Sequence, residues 1–205
     1  MPAPGVVPPD RILDGALTCI ARVGVAKTTL DDVAREAGCA RATVYRSFPG
    51  RQALLRAVLD REVVAFGARV VDAASDAVDL GDAVTAVILT AADTFHTHAA
   101  LAFVLAYEPE IVAPQLSFAR GSDLLLTAAA LVAPAFTRFL PADRAERLGE
   151  WVARLTLSYL CDPSERVQLD NPVHVRALVV NHVLPSVIRT NSTFASVNTG
   201  EGVSQ

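Results

Sequence analysis

Residues 28–48 read TTLDDVAREAGCARATVYRSF, and this stretch decides the fold. Its first half places apolar residues at the i, i+3, i+4 and i+7 positions of one helix face: Leu30, Val33, Ala34 and Ala37. Gly38 follows at once, and a glycine there favours a left-handed residue that ends one helix and lets another start at a steep angle. A second short helix is predicted at roughly Ala40–Ser47, before Pro49 and Gly50 break the pattern. The stretch therefore predicts a helix-turn-helix.

The second of these helices has one side without an obvious packing role. At 100° per residue its inward side is Ala40, Val44 and Phe48, its outward side is Ala42, Tyr45 and Arg46, and its flanks are Arg41 and Thr43. The outward set combines small side chains for close approach, a hydroxyl for phosphate, and guanidinium groups for guanine edges or the backbone. The alternative is an ordinary three-helix corner with a solvated face. A projecting tyrosine among arginines favours binding to double-stranded DNA instead.

The same stretch resembles the DNA-binding domain of the TetR family of bacterial transcription regulators. The resemblance covers Arg11 to about Val63, and its hallmark positions are Gly38, Thr43, Val44, Tyr45, Phe48 and Arg51. This chain departs from the usual pattern at three places: Ala40 stands for a small polar cap, Ala42 for a frequent glycine, and Arg51 for a lysine. The missing cap is expected to cost about 1 kcal/mol of helix stability.

The resemblance implies a set of DNA-binding residues. Thr28 and Thr29 would offer hydroxyl and N–H groups to a phosphate at a helix N-terminus. Arg41, Ala42 and Thr43 would face base edges, and Tyr45 and Arg46 would contact the backbone or bases. Arg51 would clamp a phosphate from the start of a long fourth helix.

The pattern along the rest of the chain is helical, so we expect an all-α protein. An N-terminal three-helix DNA-binding domain would be joined by a long helix to a larger helical domain for ligand binding and dimerisation. The expected boundaries are a flexible leader at 1–8, the helix-turn-helix domain at 9–50, the larger domain at 51–189 with helix 4 as connector, and a disordered tail at 190–205. Asp10 is expected to cap the first helix, Gly24 to end it, and Thr28 or Thr29 to cap the second.

Composition agrees with a helical protein that binds DNA through its N-terminal part. Hydrophobic residues make up 52 % of the 205 residues and aromatic residues only 6 %, which favours closely packed helices over a strand-rich sandwich. The net charge is −4, yet residues 1–62 hold nine Lys and Arg against seven Asp and Glu, and the rest of the chain holds nine against fifteen. Positive charge is thus concentrated around the motif. The sequence shows neither a signal peptide nor a membrane span, so we expect a cytoplasmic protein without membrane contact.

One helix-turn-helix reads only a few base pairs, so we expect a homodimer on a near-palindromic operator with half-sites roughly 34 Å apart. The resemblance implies a four-helix bundle made from the last two long helices of each subunit. The candidate interface residues are Leu148, Val152, Tyr159, Val175, Leu178, Val179, His182 and Val183. The alternative is that these apolar stripes face the chain's own core.

The resemblance also implies an effector pocket among the middle helices. Its candidate lining is Phe95, His98, Phe103, Tyr107, Phe118, Leu125, Trp151 and Leu155. Basic residues are sparse between 80 and 137, so we expect a largely apolar small molecule, such as a fatty-acyl, terpenoid or aromatic compound. No cofactor is expected. No metal site is expected either, because the four histidines lack a carboxylate at ligand spacing and three scattered cysteines cannot form a tetrahedral site.

These observations together predict a ligand-responsive, sequence-specific transcription regulator, most simply a repressor released by its effector. The alternatives are an activator of the same fold, or a protein-interaction module that no small molecule releases. An enzyme is not expected, because nucleophile elbows, phosphate-cradling glycine loops and paired carboxylates are missing from the sequence.

Overall fold

The computed structural model of the chain describes residues 7–108, 110, 123–162, 164–185 and 187. Within these residues the chain is helical, without a strand, as the sequence predicts. The helices are α1 (Pro9–Lys27), α2 (Leu30–Glu36), α3 (Arg41–Ser47), α4 (Arg51–Ala73), α5 (Leu80–Thr97), α6 (Ala99–Tyr107), α7 (Asp123–Val132), α8 (Ala142–Cys161) and α9 (Pro172–Leu178). A 3₁₀ turn at Ala133–Phe136 follows α7, and a π turn at Val179–Val183 follows α9. The predicted leader and tail lie largely outside the described residues.

Glycines mark the boundaries of the N-terminal helices. Gly24 breaks α1 with φ 85° and ψ 169°, and one further turn runs to Lys27 before α2 begins. The helix therefore breaks at the expected residue but continues beyond it. Gly38 has φ 63° at the corner between α2 and α3, and a Cβ there would lie 3.0 Å from Nη2 of Arg11. Both positions need a backbone that other residues rarely adopt.

The helix caps differ in part from expectation. Asp10 does not cap α1, because the helix already begins at Pro9, with Pro8 as its N-cap. Proline at the first helical position explains the earlier start, since it carries no N–H that needs a partner. Asp10 instead lies in the first turn, where its charge complements the helix dipole. At α2 the cap is Thr29, whose Oγ1 accepts from the Asp32 N–H at 3.2 Å.

The chain divides into two compact units, and the division falls within helices. The first unit comprises the chain up to Phe66 together with Thr94–Leu124, and the second comprises Gly67–Asp93 and the chain from Leu125 onward. In the first unit α1 packs on both α2 and α6, and α2 packs on α3. Its buried core is Ile12, Leu13, Ala16, Cys19, Ile20, Leu30, Val33, Ala34, Ala37, Val44, Leu54, Val58, Ala100 and Val104.

The second unit has its own core, to which α5, α8 and α9 each contribute. Phe136 is fully buried in the turn after α7, where Pro134 ends the α-helix. Gly149 of α8 allows a close approach, because a Cβ there would lie 2.8 Å from the carbonyl oxygen of Ala129. Val152 and Val175 bring α8 and α9 into the same buried set.

None of the described helices is, by itself, both long and apolar enough to cross a membrane. Only α5 and α6 taken together reach that length and composition, and they are bent by 72° at their junction.

Candidate nucleic-acid interface

Helix α3 is anchored by one buried residue and leaves its other side open. Val44 is fully buried in the core of the first unit. Ala42 and Arg46 are exposed, and Tyr45 is 43 % exposed although it is a large aromatic residue. Thr43 is half-buried on the flank. The outward side predicted from the helical repeat is therefore accessible, which is the geometric requirement for entering a DNA groove.

Arg41 is held in place by two neighbours. Its Nη1 donates to Oδ2 of Asp31 at 2.9 Å, and its Nη2 donates to the Tyr45 hydroxyl at 3.2 Å. The guanidinium carbon also lies 5.2 Å from the centre of the Tyr45 ring, within cation–π range. The hydrogen bond to Tyr45, and then the charge of Asp31, raise the pKa of Arg41. Arg41 and Tyr45 thus form one oriented group at the start of α3.

The two threonines that were expected to meet phosphate are placed differently from one another. Thr28 is only 2 % exposed, and its hydroxyl donates to the Gly24 carbonyl oxygen at 2.6 Å. Thr29 is exposed, caps α2, and donates its hydroxyl hydrogen to Oδ2 of Asp32 at 2.6 Å. That bond lowers the pKa of Asp32, assisted by the neighbouring Arg35. Only Thr29 presents its side chain to solvent.

Arg51 is engaged with backbone in this structure. Its Nε donates to the Thr28 carbonyl oxygen at 2.9 Å, and its Nη2 donates to that of Val25. The side chain is half-buried at the first residue of α4. Its guanidinium therefore ties α4 to the connection between α1 and α2, a role that its place in the motif does not reveal.

Several of the predicted residues surround a single depression of about 460 Å³. It is lined by Ala26, Thr28, Thr29, Leu30, Asp31, Arg41, Tyr45 and Arg51. Two arginines and one aspartate thus line the depression, and Arg41 is paired with that aspartate. Ala42, Thr43 and Arg46 do not line the depression, so the predicted set comprises a cluster at the start of α2 and a separate exposed side of α3.

Sequence reasoning missed Asp31 as a member of this site. An acidic residue in the first turn of a helix is ordinarily explained by the helix dipole, and Asp31 does occupy that turn. Its pairing with Arg41 ten residues later depends on the angle of the corner at Gly38. The sequence carries no signal for this pairing, because Asp31 is one of three acidic residues that stand among three arginines in residues 28–48.

The residues predicted for the dimer interface are mostly placed in the core of the second unit. Leu148, Val152, Val175, Leu178, Val179 and Val183 are all buried there. The apolar stripes of α8 and α9 thus face their own chain, which is the alternative that the sequence left open. Tyr159 is half-buried and His182 is exposed. Exposed apolar residues lie elsewhere, at Trp151 of α8, at Val173 of α9 and at Val180 of the π turn that follows α9.

The residues predicted for the pocket are divided between the two units. Phe95, His98 and Phe103 are half-buried, whereas Tyr107 is 73 % exposed. His98 is the N-cap of α6: its Nδ1 accepts from the Leu101 N–H at 3.1 Å, and its Nε2 lies 3.2 Å from Oε2 of Glu62.

In the second unit Trp151 is exposed and Leu155 is half-buried. Phe118 and the side chain of Leu125 lie outside the described residues. Among the residues that are described, no three His, Cys, Asp or Glu side chains are grouped to hold a metal ion.

Comparison with known proteins identifies the fold and the motif. Residues 12–58 match the family described as bacterial regulatory proteins, tetR family. A helix-turn-helix-type transcriptional regulator of Mycobacterium tuberculosis is 30 % identical over 181 residues, which are 87 % of this chain and 84 % of that protein.

Two solved structures share the fold at low identity. The TetR family repressor AlkX from Dietzia, implicated in biodegradation of n-alkanes, aligns with a TM-score of 0.64 at 18 % identity, over 89 % of this chain and 96 % of that one. The transcriptional regulator FadR from Bacillus subtilis, solved in complex with stearoyl-CoA, aligns with a TM-score of 0.54 at 15 % identity, over 85 % and 98 %.

The matched residues 12–58 contain the whole helix-turn-helix, and the relative of 30 % identity extends the likeness over most of both chains. With its all-helical fold and its exposed α3, this chain belongs to the TetR family of bacterial transcriptional regulators.

Proposed function

We propose that the chain is a dimeric repressor that binds a near-palindromic operator through α3 and leaves it when a largely apolar small molecule binds. The observation that carries this proposal is the accessible side of α3. Tyr45 and Arg46 project to solvent from a helix that is anchored by fully buried Val44. A large aromatic residue in that position contributes little to the core, so its place is best explained by contact with DNA.

The proposed contacts fall into two groups. Thr29, Arg41 and Tyr45, around the depression at the start of α2, would hold phosphate and set the register on the duplex. Ala42, Thr43 and Arg46 would approach base edges in the major groove. Thr28 and Arg51 would act through the backbone that they fasten, because their polar atoms are engaged there.

The proposed dimer uses a different face of α9 from the one that the sequence suggested. Val173, Ala177 and Val180 are exposed at i, i+4 and i+7, and Val173 is 74 % exposed. They line an open, largely apolar depression together with Pro172, Arg176 and Asn181. A second copy of this face would remove these side chains from water, and apolar burial is the main driving force for association.

The proposed effector is largely apolar. The sequence from 80 to 137 offers few cationic partners for an anionic ligand. Two proteins with the same fold point the same way, since one is implicated in biodegradation of n-alkanes and the other was solved with stearoyl-CoA. A thermal-shift screen of fatty-acyl, alkane, terpenoid and aromatic compounds is expected to find a stabilising ligand. Stabilisation by charged, hydrophilic metabolites alone would contradict this part of the proposal.

DNA binding is tested with a fluorescent duplex from the region upstream of the protein's own gene. We expect binding that weakens steeply with salt, because phosphate contacts release counterions. Tyr45→Ala and Arg46→Ala should each abolish specific binding. Arg154→Ala is the matched control, because this exposed arginine pairs with Glu150 on α8 of the second unit.

Specific binding retained in both α3 variants would contradict the proposed interface. A wild-type protein that binds no DNA at all would favour a protein-interaction module instead. Binding that persists in the presence of the stabilising ligand would favour an activator or another response.

A further inference from the structure

The segment Gly24–Thr28, which comprises the last turn of α1 and the residue after it, is held by the carboxylate of Glu108, the C-cap of α6. The break at Gly24 leaves the N–H groups of the next two residues pointing in a common direction. Oε2 of Glu108 accepts from the Val25 N–H at 2.6 Å, and Oε1 accepts from the Ala26 N–H at 2.9 Å. Glu108 is only 7 % exposed although it is an acidic residue. Charge-assisted bonds of this kind are stronger than those between neutral groups.

The carbonyl oxygens of the same segment are also bound by side chains. Arg51 donates to the carbonyl oxygens of Val25 and Thr28, and the Thr28 hydroxyl donates to the carbonyl oxygen of Gly24. Side chains thus bind the N–H groups of Val25 and Ala26 and the carbonyl oxygens of Gly24, Val25 and Thr28. Val25 is half-buried and Ala26 is exposed, so their N–H groups would become open to water and to hydrogen exchange without the carboxylate.

Gly24 is packed closely against the end of α6. A Cβ at Gly24 would lie 2.5 Å from Oε1 of Glu108 and 2.8 Å from Cε1 of Phe103. Phe103 of α6 and Glu108 at its C-cap therefore lie directly against the break in α1. Close-packed contacts transmit displacement because they cannot be compressed.

The segment Gly24–Thr28 is followed directly by α2 and α3, which carry the proposed DNA-binding face. Thr29, the N-cap of α2, follows Thr28 directly, and α2 packs on α3. A shift of the segment must move the start of α2, and with it Asp31 and the Arg41 that pairs with it.

From this arrangement we propose that Glu108 is a positioning residue for DNA recognition. Its carboxylate sets the placement of α2 and α3 through the N–H groups of Val25 and Ala26, so that a movement of the end of α6 reaches the DNA-binding face through this side chain. The inference rests on the proposed function, since it names how that same face is controlled.

The test compares Glu108→Ala and Glu108→Gln with Glu110→Gln, an exposed carboxylate two residues away that gives the same change in charge as the other glutamine variant. Hydrogen exchange resolved to single amides is measured first. Glu108→Ala should speed exchange at Val25 and Ala26 and in α2 at least tenfold, while amides of α8 keep their rates. Glu108→Gln should be intermediate, because its amide retains one acceptor and turns a donor toward the second N–H.

Affinity for the upstream duplex is measured on the same proteins. We expect a loss of tenfold or more for Glu108→Ala, a smaller loss for Glu108→Gln, and less than a twofold change for Glu110→Gln. Gly24→Ala, which places a methyl group against Glu108, should weaken binding in the same way. Combining it with Glu108→Ala should weaken binding by less than the product of the two single effects, because Glu108→Ala removes one of the two side chains that the methyl group would meet.

Unchanged exchange at Val25 and Ala26 in Glu108→Ala would overturn the inference, whatever happens to DNA binding. So would exchange that rises uniformly through α8, because that result would indicate general destabilisation. If the wild-type protein fails to bind DNA, the proposed function fails, yet the exchange at α2 still decides whether Glu108 positions this face.

Discussion

Arg41 at the start of the exposed helix α3 is paired with Asp31 in the first turn of α2, with 2.9 Å between Nη1 and Oδ2. Both side chains are half or more exposed, so the pair contributes little to stability. Its effect is on recognition, because it holds an arginine in one orientation and places a negative charge where phosphates are proposed to bind. An arginine held in one orientation would meet phosphate in one register of the duplex, and the nearby carboxylate would penalise the phosphate contacts of other registers.

Asp31→Asn is expected to raise affinity for DNA of arbitrary sequence several-fold, because it removes one repulsion worth about 1 kcal/mol in a solvent-exposed setting. Affinity for the operator should rise less, so the ratio of specific to non-specific binding should fall. Fluorescence anisotropy on both duplexes at one salt concentration measures this ratio. The control Asp143→Asn makes the same change in charge at another exposed pair, with Arg147 on α8. An unchanged ratio in Asp31→Asn would refute a role for this carboxylate.

Ala40→Ser is expected to stabilise the protein by about 1 kcal/mol, because serine supplies the cap that α3 lacks. Ala40 is the N-cap with φ −73° and ψ 145°, and no side chain there accepts from the helix. Urea unfolding should show a higher midpoint at unchanged slope. Ala40→Val is the control, since Ala40 is exposed and valine caps no better than alanine. A gain of the same size in both variants would mean that capping is not the cause.

Thr156→Val is expected to stabilise the protein by about 1–2 kcal/mol, because it removes a buried hydroxyl without a partner while keeping the shape of the side chain. Thr156 of α8 is 5 % exposed, and its Oγ1 makes no hydrogen bond to any residue that the structure describes. Chemical unfolding measures the change. Thr137→Val provides the contrast, because the Thr137 hydroxyl donates to the Pro134 carbonyl oxygen at 2.9 Å, and its loss should not stabilise. A lower stability in Thr156→Val would show that the hydroxyl has a partner in solution.

The ion pair between Asp82 of α5 and Arg176 of α9 is expected to give the second unit an acid-sensitive contribution to stability. The hydrogen bond from Arg176, and then its charge, lower the pKa of Asp82. A carboxyl whose folded pKa is depressed stabilises the protein above its unfolded pKa of about 4 and loses that contribution as the pH falls through the lower folded pKa. Stability measured from pH 6 to pH 2 should fall less steeply in Asp82→Asn.

Arg176→Gln supplies the matched control for this prediction. It removes the partner and leaves the carboxyl, so its acid dependence should resemble that of Asp82→Asn. The double variant should add nothing further, because both changes remove the same interaction. If stability falls equally steeply between pH 6 and pH 2 in the wild-type protein and in both single variants, the pair does not form in solution.

The local features of the fold could be predicted because they depend on neighbours in sequence. Gly24, Gly38 and Gly50 all have positive φ, and each stands where a pattern of apolar residues breaks off. The short helices α2 and α3 follow from spacing, and Val44 is buried where the helical repeat places it. Residues that interact within one turn carry their own signal.

The remaining features depend on residues that only the fold brings together. Glu108 binds backbone 82 and 83 residues away, and no local pattern marks it. The apolar stripes of α8 and α9 predicted contact faces correctly, but periodicity does not distinguish a partner's surface from the chain's own core. The structure resolves that ambiguity at Val152 and Val175, which are buried within the second unit.

The division of the core has a consequence for anyone who wants to graft this DNA-reading head onto another regulator. The hydrophobic cluster beneath α1–α3 is completed by Leu54 and Val58 of α4 and by Ala100 and Val104 of α6. A fragment that ends at Gly50 would expose the apolar side chains of this core to water, and such exposed apolar surface promotes aggregation. A folded chimaera must therefore include α6 together with α1–α4. DNA specificity is changed more simply by substituting the exposed residues of α3 within the intact chain.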